Sequence, residues 1–335
     1  MQLFFKLIFK FLRGASMLKI GKLELKSNLI LAPLAGVSDL PFRMLNRSFG
    51  AELAFVEMLN CRSLSYKGRR TKDMLRSEPS DRPLGLQILG CEEKFILKGM
   101  DVLSVHKFDL LDFNAACPAK KVVRRGEGAG LLKEPKRLHK LLKLVVKNAK
   151  HPVTVKIRIG WDKDSVNAAE VALLAQDAGV NALFVHGRTR LQGYSGQVDY
   201  SAIAKVKKAL SVPVIASGDI LSAELAKRML DETGCDGLAV ARGAMGNPWI
   251  FQQIKAHLAG QAIVHPDHTE VVRVMLGHFN SSVDFYGERN GVVIFRKFFG
   301  WYTRGFPKVR PLREKVSRAK TAQEMREIIG ACKAE

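Results

Sequence analysis

Eight short apolar runs recur between residues 28 and 243, each separated from the next by a segment with helical spacing, and this alternation constrains the fold more than any other feature of the chain. The runs are NLILAP from Asn28, LAFVEM from Leu53, LGLQIL from Leu84, LLDFN from Leu110, VTVKIRI from Val153, ALFVHG from Ala182, PVIASGD from Pro213 and GLAVARG from Gly237. Helix starts between them are marked by Asp39 before Pro41, by Glu134-Pro135, and by Ser222 with Glu224 in the first turn. Eight βα units are the number that closes a TIM (β/α)8 barrel, here near residue 250. A doubly wound sheet also alternates strands and helices, but it rarely needs eight units, and no run is followed by G-x-G-x-x-G. The nearest approach, Gly126-Glu127-Gly128-Ala129-Gly130, follows a basic segment and reads as a flexible loop.

After about residue 255 the strand runs stop, and three or so helical segments read as a small all-helical domain. The expected division is an N-terminal extension over 1–16, a barrel over 17–254 and a helical domain over 255–335, in keeping with a length of 335 residues. The extension, MQLFFKLIFKFLRGAS, places Lys6, Lys10 and Arg13 on one helical face and is too short and too charged to span a bilayer. A weak membrane-surface helix and a poor signal peptide both fit it, but a mis-assigned start, with Met17 as the second plausible one, or a dispensable extension fits best; no transmembrane segment is expected.

Charge and cysteine usage narrow the function classes. The chain carries 54 Lys+Arg against 32 Asp+Glu, a formal net charge of +22, which attracts polyanions and points to nucleic acid or an anionic surface. Between Gly291 and Lys320 nine cations meet one acidic residue, Glu314, among Phe295, Phe298, Phe299, Trp301, Tyr302 and Phe306. Cations among aromatics suit a nucleic-acid surface, while the rings alone suit the core of a small domain. The five cysteines (Cys61, Cys91, Cys117, Cys235 and Cys332) form no C-x-x-C pair and no even framework, so a reducing cytoplasm is expected, with neither disulfides nor a bound metal.

In such a barrel, chemistry sits at the C-terminal ends of the strands. The runs end in Ala32-Pro33-Leu34-Ala35-Gly36, Glu57, Gln87, Asn114 with Cys117-Pro118, Lys156 with Arg158, His186 with Arg188, Ser217-Gly218-Asp219 and Ala241-Arg242-Gly243. Polar groups ending apolar strands are costly unless paired or used. The last two ends supply small residues and one arginine, a pattern suited to the phosphate of a cofactor with Arg242 as anion clamp. Lys156 would then lie over the cofactor ring, where a fixed cation stabilises the developing charge of a reduced flavin.

The segments LAPLAGVSD, LLDFNAACPAKKVVRRGEGAGLLKEP, VKIRIGW, VHGRTR, ASGDI and ARGAMGNPWIF, in that order, resemble the tRNA-dihydrouridine synthase family, nearest its bacterial B-type branch. The resemblance implies an FMN-dependent barrel that reduces the C5=C6 bond of selected uridines in the tRNA D-loop, with NADPH reloading the flavin and the helical domain binding tRNA. On matching positions, Pro33, Leu34 and Ala35 line the flavin, Gln87 and Lys156 hydrogen-bond its ring, and His186 sits near it. Ser217, Gly218, Asp219, Ala241 and Arg242 hold the phosphate end. Cys117 is implied as the proton donor to C5 while hydride passes from flavin N5 to C6, and Asn114 and Arg158 as holders of the uracil. No stable protein partner is implied.

The physical reading of Cys117 agrees, because an unperturbed thiol is mostly protonated at neutral pH and a general acid must be. A flipped uridine costs a few kcal/mol of unstacking, which Lys120, Lys121, Arg124, Arg125 and the helical domain would recover through phosphate contacts. The chain departs from the family pattern at Ser217, at Ala241 and at Ala116, which stands where a glycine usually precedes the cysteine; a requirement for positive φ there would shift the cysteine loop. Two rivals stay open on sequence alone: a flavin barrel acting on free pyrimidines, which gives no use for the basic excess, and a tRNA-binding barrel without catalysis, which gives no use for Cys117, Lys156 and Arg242 together.

Overall fold

The computed structural model describes residues 17–66 and 69–333, so the extension over 1–16 lies outside the described residues. Eight parallel strands close into a barrel: β1 Leu29–Leu31, β2 Leu53–Phe55, β3 Leu84–Leu89, β4 Leu110–Ala115, β5 Val153–Arg158, β6 Ala182–His186, β7 Val214–Ser217 and β8 Gly237–Val240. Each strand pairs with its successor, and the ring closes where Leu238, Ala239 and Val240 of β8 register with Leu29, Ile30 and Leu31 of β1. The doubly wound alternative is excluded by that closure. The run at Leu53 yields only three residues of β2, and the strand-like backbone resumes at Leu59–Asn60 beside β3.

The floor of the barrel is a feature the strand runs do not reveal. A hairpin, Leu18–Ile20 paired with Leu23–Leu25, places Leu18, Ile20 and Leu25 in one apolar cluster with the inward residues Ile30, Leu53, Phe55, Leu110, Phe184 and Ile215. Three-residue strands are too short to announce themselves by periodicity. Above this floor Phe55 meets Phe184 edge-on at 5.6 Å between centroids. Space for Phe55 comes from Gly85, where a Cβ would fall 2.3 Å from the ring.

The helix-start signals operate locally. Asp39 accepts from the Phe42 amide at 2.9 Å to open Leu40–Ser48, and Ser222 accepts from Leu225 at 3.3 Å to open Ala223–Thr233. Glu134 precedes Pro135 at the start of Pro135–Asn148 without a side-chain cap bond.

Four helices follow the barrel rather than three: His268–Tyr286, Glu288–Tyr302, Arg310–Arg318 and Ala322–Gly330. The barrel's last helix, Ile250–Leu258, runs through the expected boundary at 254. Phe295, Phe298, Phe299 and Tyr302 are buried, so these rings are the helical region's core. Of the nine cations between Gly291 and Lys320, seven are exposed, from Arg304 to Lys320. Tyr286 donates to Asp39 Oδ2 at 2.9 Å, Arg76 donates to the Phe285 carbonyl at 2.9 Å, and Lys297 donates to the Gly36 carbonyl, tying the helices to the barrel's β1 loop and flank. Among the described residues, no helix is long and apolar enough to cross a membrane.

Gly85→Ala should therefore destabilise the barrel by about 1–3 kcal/mol through overpacking against Phe55. Adding Phe55→Leu should return part of that loss. Urea unfolding midpoints of the three proteins check both statements.

Candidate active site at the strand ends

Where the strands rise above the apolar floor, their inward side chains turn polar. All fourteen residues given a role from sequence (Pro33, Leu34, Ala35, Gln87, Asn114, Cys117, Lys156, Arg158, His186, Ser217, Gly218, Asp219, Ala241 and Arg242) line one cavity there, while the strand-end residues Glu57 and Arg188 do not. Met58, which ends the run LAFVEM, lines it too, as do Ile220 and Leu221 next to Asp219 and Tyr194 from the loop after β6. A larger groove of about 1110 Å³ lies outside the barrel between helices Leu40–Ser48, Ile250–Leu258 and His268–Tyr286, but it holds none of these strand-end groups.

The cysteine loop is held from several sides. Asn114 Oδ1 accepts from the Ala116 and Cys117 amides at 3.0 and 2.9 Å. The Ala116 carbonyl accepts from Arg158 Nε at 2.9 Å, and the Cys117 carbonyl accepts from the Ala129 amide at 3.1 Å. That last bond corrects one expectation. The Gly126–Gly130 segment is no flexible loop: Gly128–Lys133 forms a 3-10 helix, with Gly128 at φ +58° and so close that a Cβ would meet the Cys117 carbonyl at 2.8 Å. Ala116 does not adopt positive φ, a conformation that only Asp219 and Lys308 take among the described non-glycine residues, so its side chain costs the loop nothing. Burial pushes the Cys117 thiol above the usual thiol value, against a smaller opposing pull from the Ala119 amide and Arg158. A thiol shifted in this direction keeps its proton at neutral pH and is a poor resting nucleophile.

The opposite wall is cationic. Asp219 accepts from both Arg188 and Arg242, and the Arg188 bond is the main reason its carboxyl lies below the ordinary value. Two guanidinium groups on one carboxylate leave a net positive charge for an anion. Arg188 also binds the Ser195 and Gly196 carbonyls, at 2.9 and 2.5 Å, which fixes the loop bearing Tyr194. Tyr194 lies between Arg242 and Arg158, with guanidinium-to-ring distances of 4.8 and 5.7 Å. Arg158 itself is spent largely on backbone, donating to Thr189 and Gly193 carbonyls at 2.9 Å besides Ala116.

Between these walls, Lys156 donates to Ser217 Oγ at 2.9 Å. Burial pulls its ammonium down and the buried Asp112 carboxylate holds it up; the same burial raises Asp112. His186 is pushed down to about 2 by burial and by Lys156, Arg158, Arg188 and Arg242, so its imidazole is neutral, and its Nδ1 is buried without a partner. A neutral ring nitrogen left unpaired beside a fixed cation is a site waiting for a polar ligand.

A family profile for dihydrouridine synthase matches residues 30–334, barrel and helices together. The chain belongs to the dihydrouridine synthase family. Relatives in this family include tRNA-dihydrouridine synthase B of Vibrio parahaemolyticus, 41% identical over 288 residues, which are 86% of this chain and 89% of the relative. A probable tRNA-dihydrouridine synthase of Rickettsia bellii is 40% identical over 293 residues, 87% of this chain and 90% of the relative. Tertiary structure gives a more distant likeness, to histamine dehydrogenase from Rhizobium sp. 4-9, with a TM-score of 0.58 at 12% identity over 81% of this chain. The match spans about half, 51%, of that longer chain and shows the barrel fold alone.

The buried thiol has a direct consequence. Alkylation of Cys117 by iodoacetamide, followed by peptide mass spectrometry, should rise with pH along a curve displaced upward from that of free cysteine. A curve displaced downward would mark a thiolate nucleophile instead.

Proposed function

We propose that this protein reduces uridines in the tRNA D-loop to dihydrouridine, with FMN in the strand-end cavity and NADPH as the electron source. The observation that carries the reading is the pairing, across one cavity, of a protonated thiol at Cys117 with a cation-rich wall at Lys156 and Arg242, backed by the buried Arg188 through Asp219. FMN fits the residues present: the surplus charge of Arg188, Arg242 and Asp219 suits its phosphate beside Ser217, Gly218 and Ala241, and the unpartnered His186 Nδ1 suits a polar ring edge. When bound, FMN supplies hydride chemistry, and NADPH restores it.

The protein's own groups do the rest. Pro33, Leu34 and Ala35 give the cofactor an apolar wall, while Gln87 and Lys156 hydrogen-bond its ring, with the ammonium opposing developing negative charge. Neutral His186 adds a hydrogen-bonding group and no charge. Cys117 delivers its proton to uracil C5 as general acid, and its raised thiol keeps that proton in place through neutral pH. Asn114 and Arg158, at the Cys117 loop, meet the uracil edge.

The basic surface accounts for the substrate's size. Lys120, Lys121 and Arg124 stand exposed beside the Cys117 loop, and the seven exposed cations of the helical region extend the charged surface, so residues 255–335 act as the tRNA-binding part. Phosphate contacts of this kind offset the few kcal/mol needed to unstack and flip the target base. Both reactants belong to the cytoplasm, and the proposed reaction does too.

Incubated with unmodified tRNA and NADPH, the purified protein should form dihydrouridine at a defined D-loop position, read by mass spectrometry of nuclease fragments. Cys117→Ala should lose about 10²- to 10⁴-fold in rate, the usual worth of a general acid. An unimpaired Cys117→Ala enzyme would remove the acid assignment. Separately, Arg242→Ala should release FMN on gel filtration under conditions where the parent protein stays yellow.

A further inference from the structure

One buried carboxylate beneath the cavity does more than hold the Lys156 ammonium up. Asp112 lies on β4, 1% exposed, two residues before Asn114. Its Oδ1 accepts from Thr154 Oγ1 at 2.6 Å, and its Oδ2 accepts from Gln87 Nε2 at 2.7 Å. Gln87 Oε1 in turn accepts from Asn114 Nδ2 at 2.8 Å, and Asn114 Oδ1 accepts from the Ala116 and Cys117 amides. Four groups thus form one unbroken polar chain from the barrel's interior to the backbone of the cysteine.

Direction is the physical point. Gln87 and Asn114 carry amides that donate from one end and accept from the other, and an amide can rotate by half a turn with little change of shape. A backbone N–H only donates, and an ionised carboxylate only accepts. With acceptor-only Asp112 at one end and donor-only amides at the other, just one orientation of both intervening side chains satisfies every bond. Were Asp112 an amide, Gln87 could turn, Asn114 could follow, and the Ala116 and Cys117 N–H groups would face another donor.

We propose that Asp112 is a positioning residue for Cys117, acting through Gln87 and Asn114 to hold the cysteine loop in register for proton delivery. The proposal rests on the reading of Cys117 as the acid. It assigns Asn114 a second task, since its carbonyl oxygen serves the loop while its Nδ2 lies between Gln87 and the Met58 sulfur, 3.3 Å away.

Asp112→Asn with FMN bound tests this in two half-reactions. Flavin reduction by NADPH, followed at the flavin absorbance band, does not use Cys117 and reads only the lost charge beside Lys156 and the freed Gln87; single-turnover reduction of uridine should fall about 10- to 100-fold further, the penalty of misplacing a reacting group by about 1 Å. The decisive variant is the swap Asp112→Asn with Gln87→Glu, which keeps the buried charge and moves the acceptor-only group one link along. The carboxylate that Gln87→Glu introduces accepts from both neighbours, so Asn114 keeps its orientation, and the swap should recover the parent's Cys117 alkylation rate, which Asp112→Asn alone should alter. Because the swap preserves charge and donor count, it tests the idea even if the single variant fails to fold. Equal losses in both half-reactions, or a swap whose Cys117 alkylation differs from the parent as much as the single variant does, would overturn the proposal. Alkylation of the resting protein reads the loop without catalysis, so a Cys117→Ala enzyme that stays active would refute the acid and leave this test standing.

Discussion

A carboxylate and an ammonium meet where the barrel's apolar interior gives way to the strand-end cavity, Asp112 buried beneath it and Lys156 lining it, and the groups around them keep both satisfied. Neither group tolerates burial alone, because an unpaired charge in a low-dielectric interior is displaced toward its neutral form. Each carries neutral partners besides its opposite charge: Thr154 and Gln87 for Asp112, Ser217 for Lys156. The apolar floor of Phe55, Phe184 and the N-terminal hairpin keeps the polar layer dry from below. From that layer hydrogen bonds run outward through Gln87 and Asn114 to the Cys117 loop, while Ser217 passes its own bond to the Val185 carbonyl.

Much of this was legible in the sequence, for a physical reason. Strands buried on both faces give continuous apolar runs, and the run LGLQIL coincides with the observed Leu84–Leu89. A polar residue ending such a run stands out, which is why fourteen chosen positions meet on one cavity. Asp112 was equally visible as a charge inside LLDFN, yet a rule that looks only at strand ends passes over it. Met58 ends the run LAFVEM but is apolar and so does not stand out, and Tyr194 reaches the cavity from a loop, where composition carries no periodic signal. The glycines at 126–130 misled because the same residue type serves flexible loops and tight contacts; only the neighbouring Cys117 carbonyl decides which applies. The aromatic residues near 300 were ambiguous between core and RNA surface, and packing resolves Phe295, Phe298 and Phe299 as core.

The helical region is more than an attached charge carrier. Asp39 caps the first barrel helix with one carboxylate oxygen and binds Tyr286 with the other, so one residue serves both parts of the chain. Burial raises the Asp39 carboxyl, opposed by the Phe42 amide, Tyr286 and Lys297. Lys297 meanwhile holds the Gly36 carbonyl, next to the Pro33–Ala35 wall of the cavity. The helices that carry the exposed cations are thereby anchored to the barrel's β1 loop and flank.

The central claim is that Cys117 hands its proton to a uracil brought to the strand ends of this barrel. A structure of the protein with FMN and unmodified tRNA tests it most directly. The account predicts a uridine turned out of the tRNA stack, with C5 about 3.5 Å from Cys117 Sγ, the range for groups poised to react. A uracil whose C5 lies closer to any other proton donor than to Cys117, or one that stays stacked within the tRNA, would contradict it.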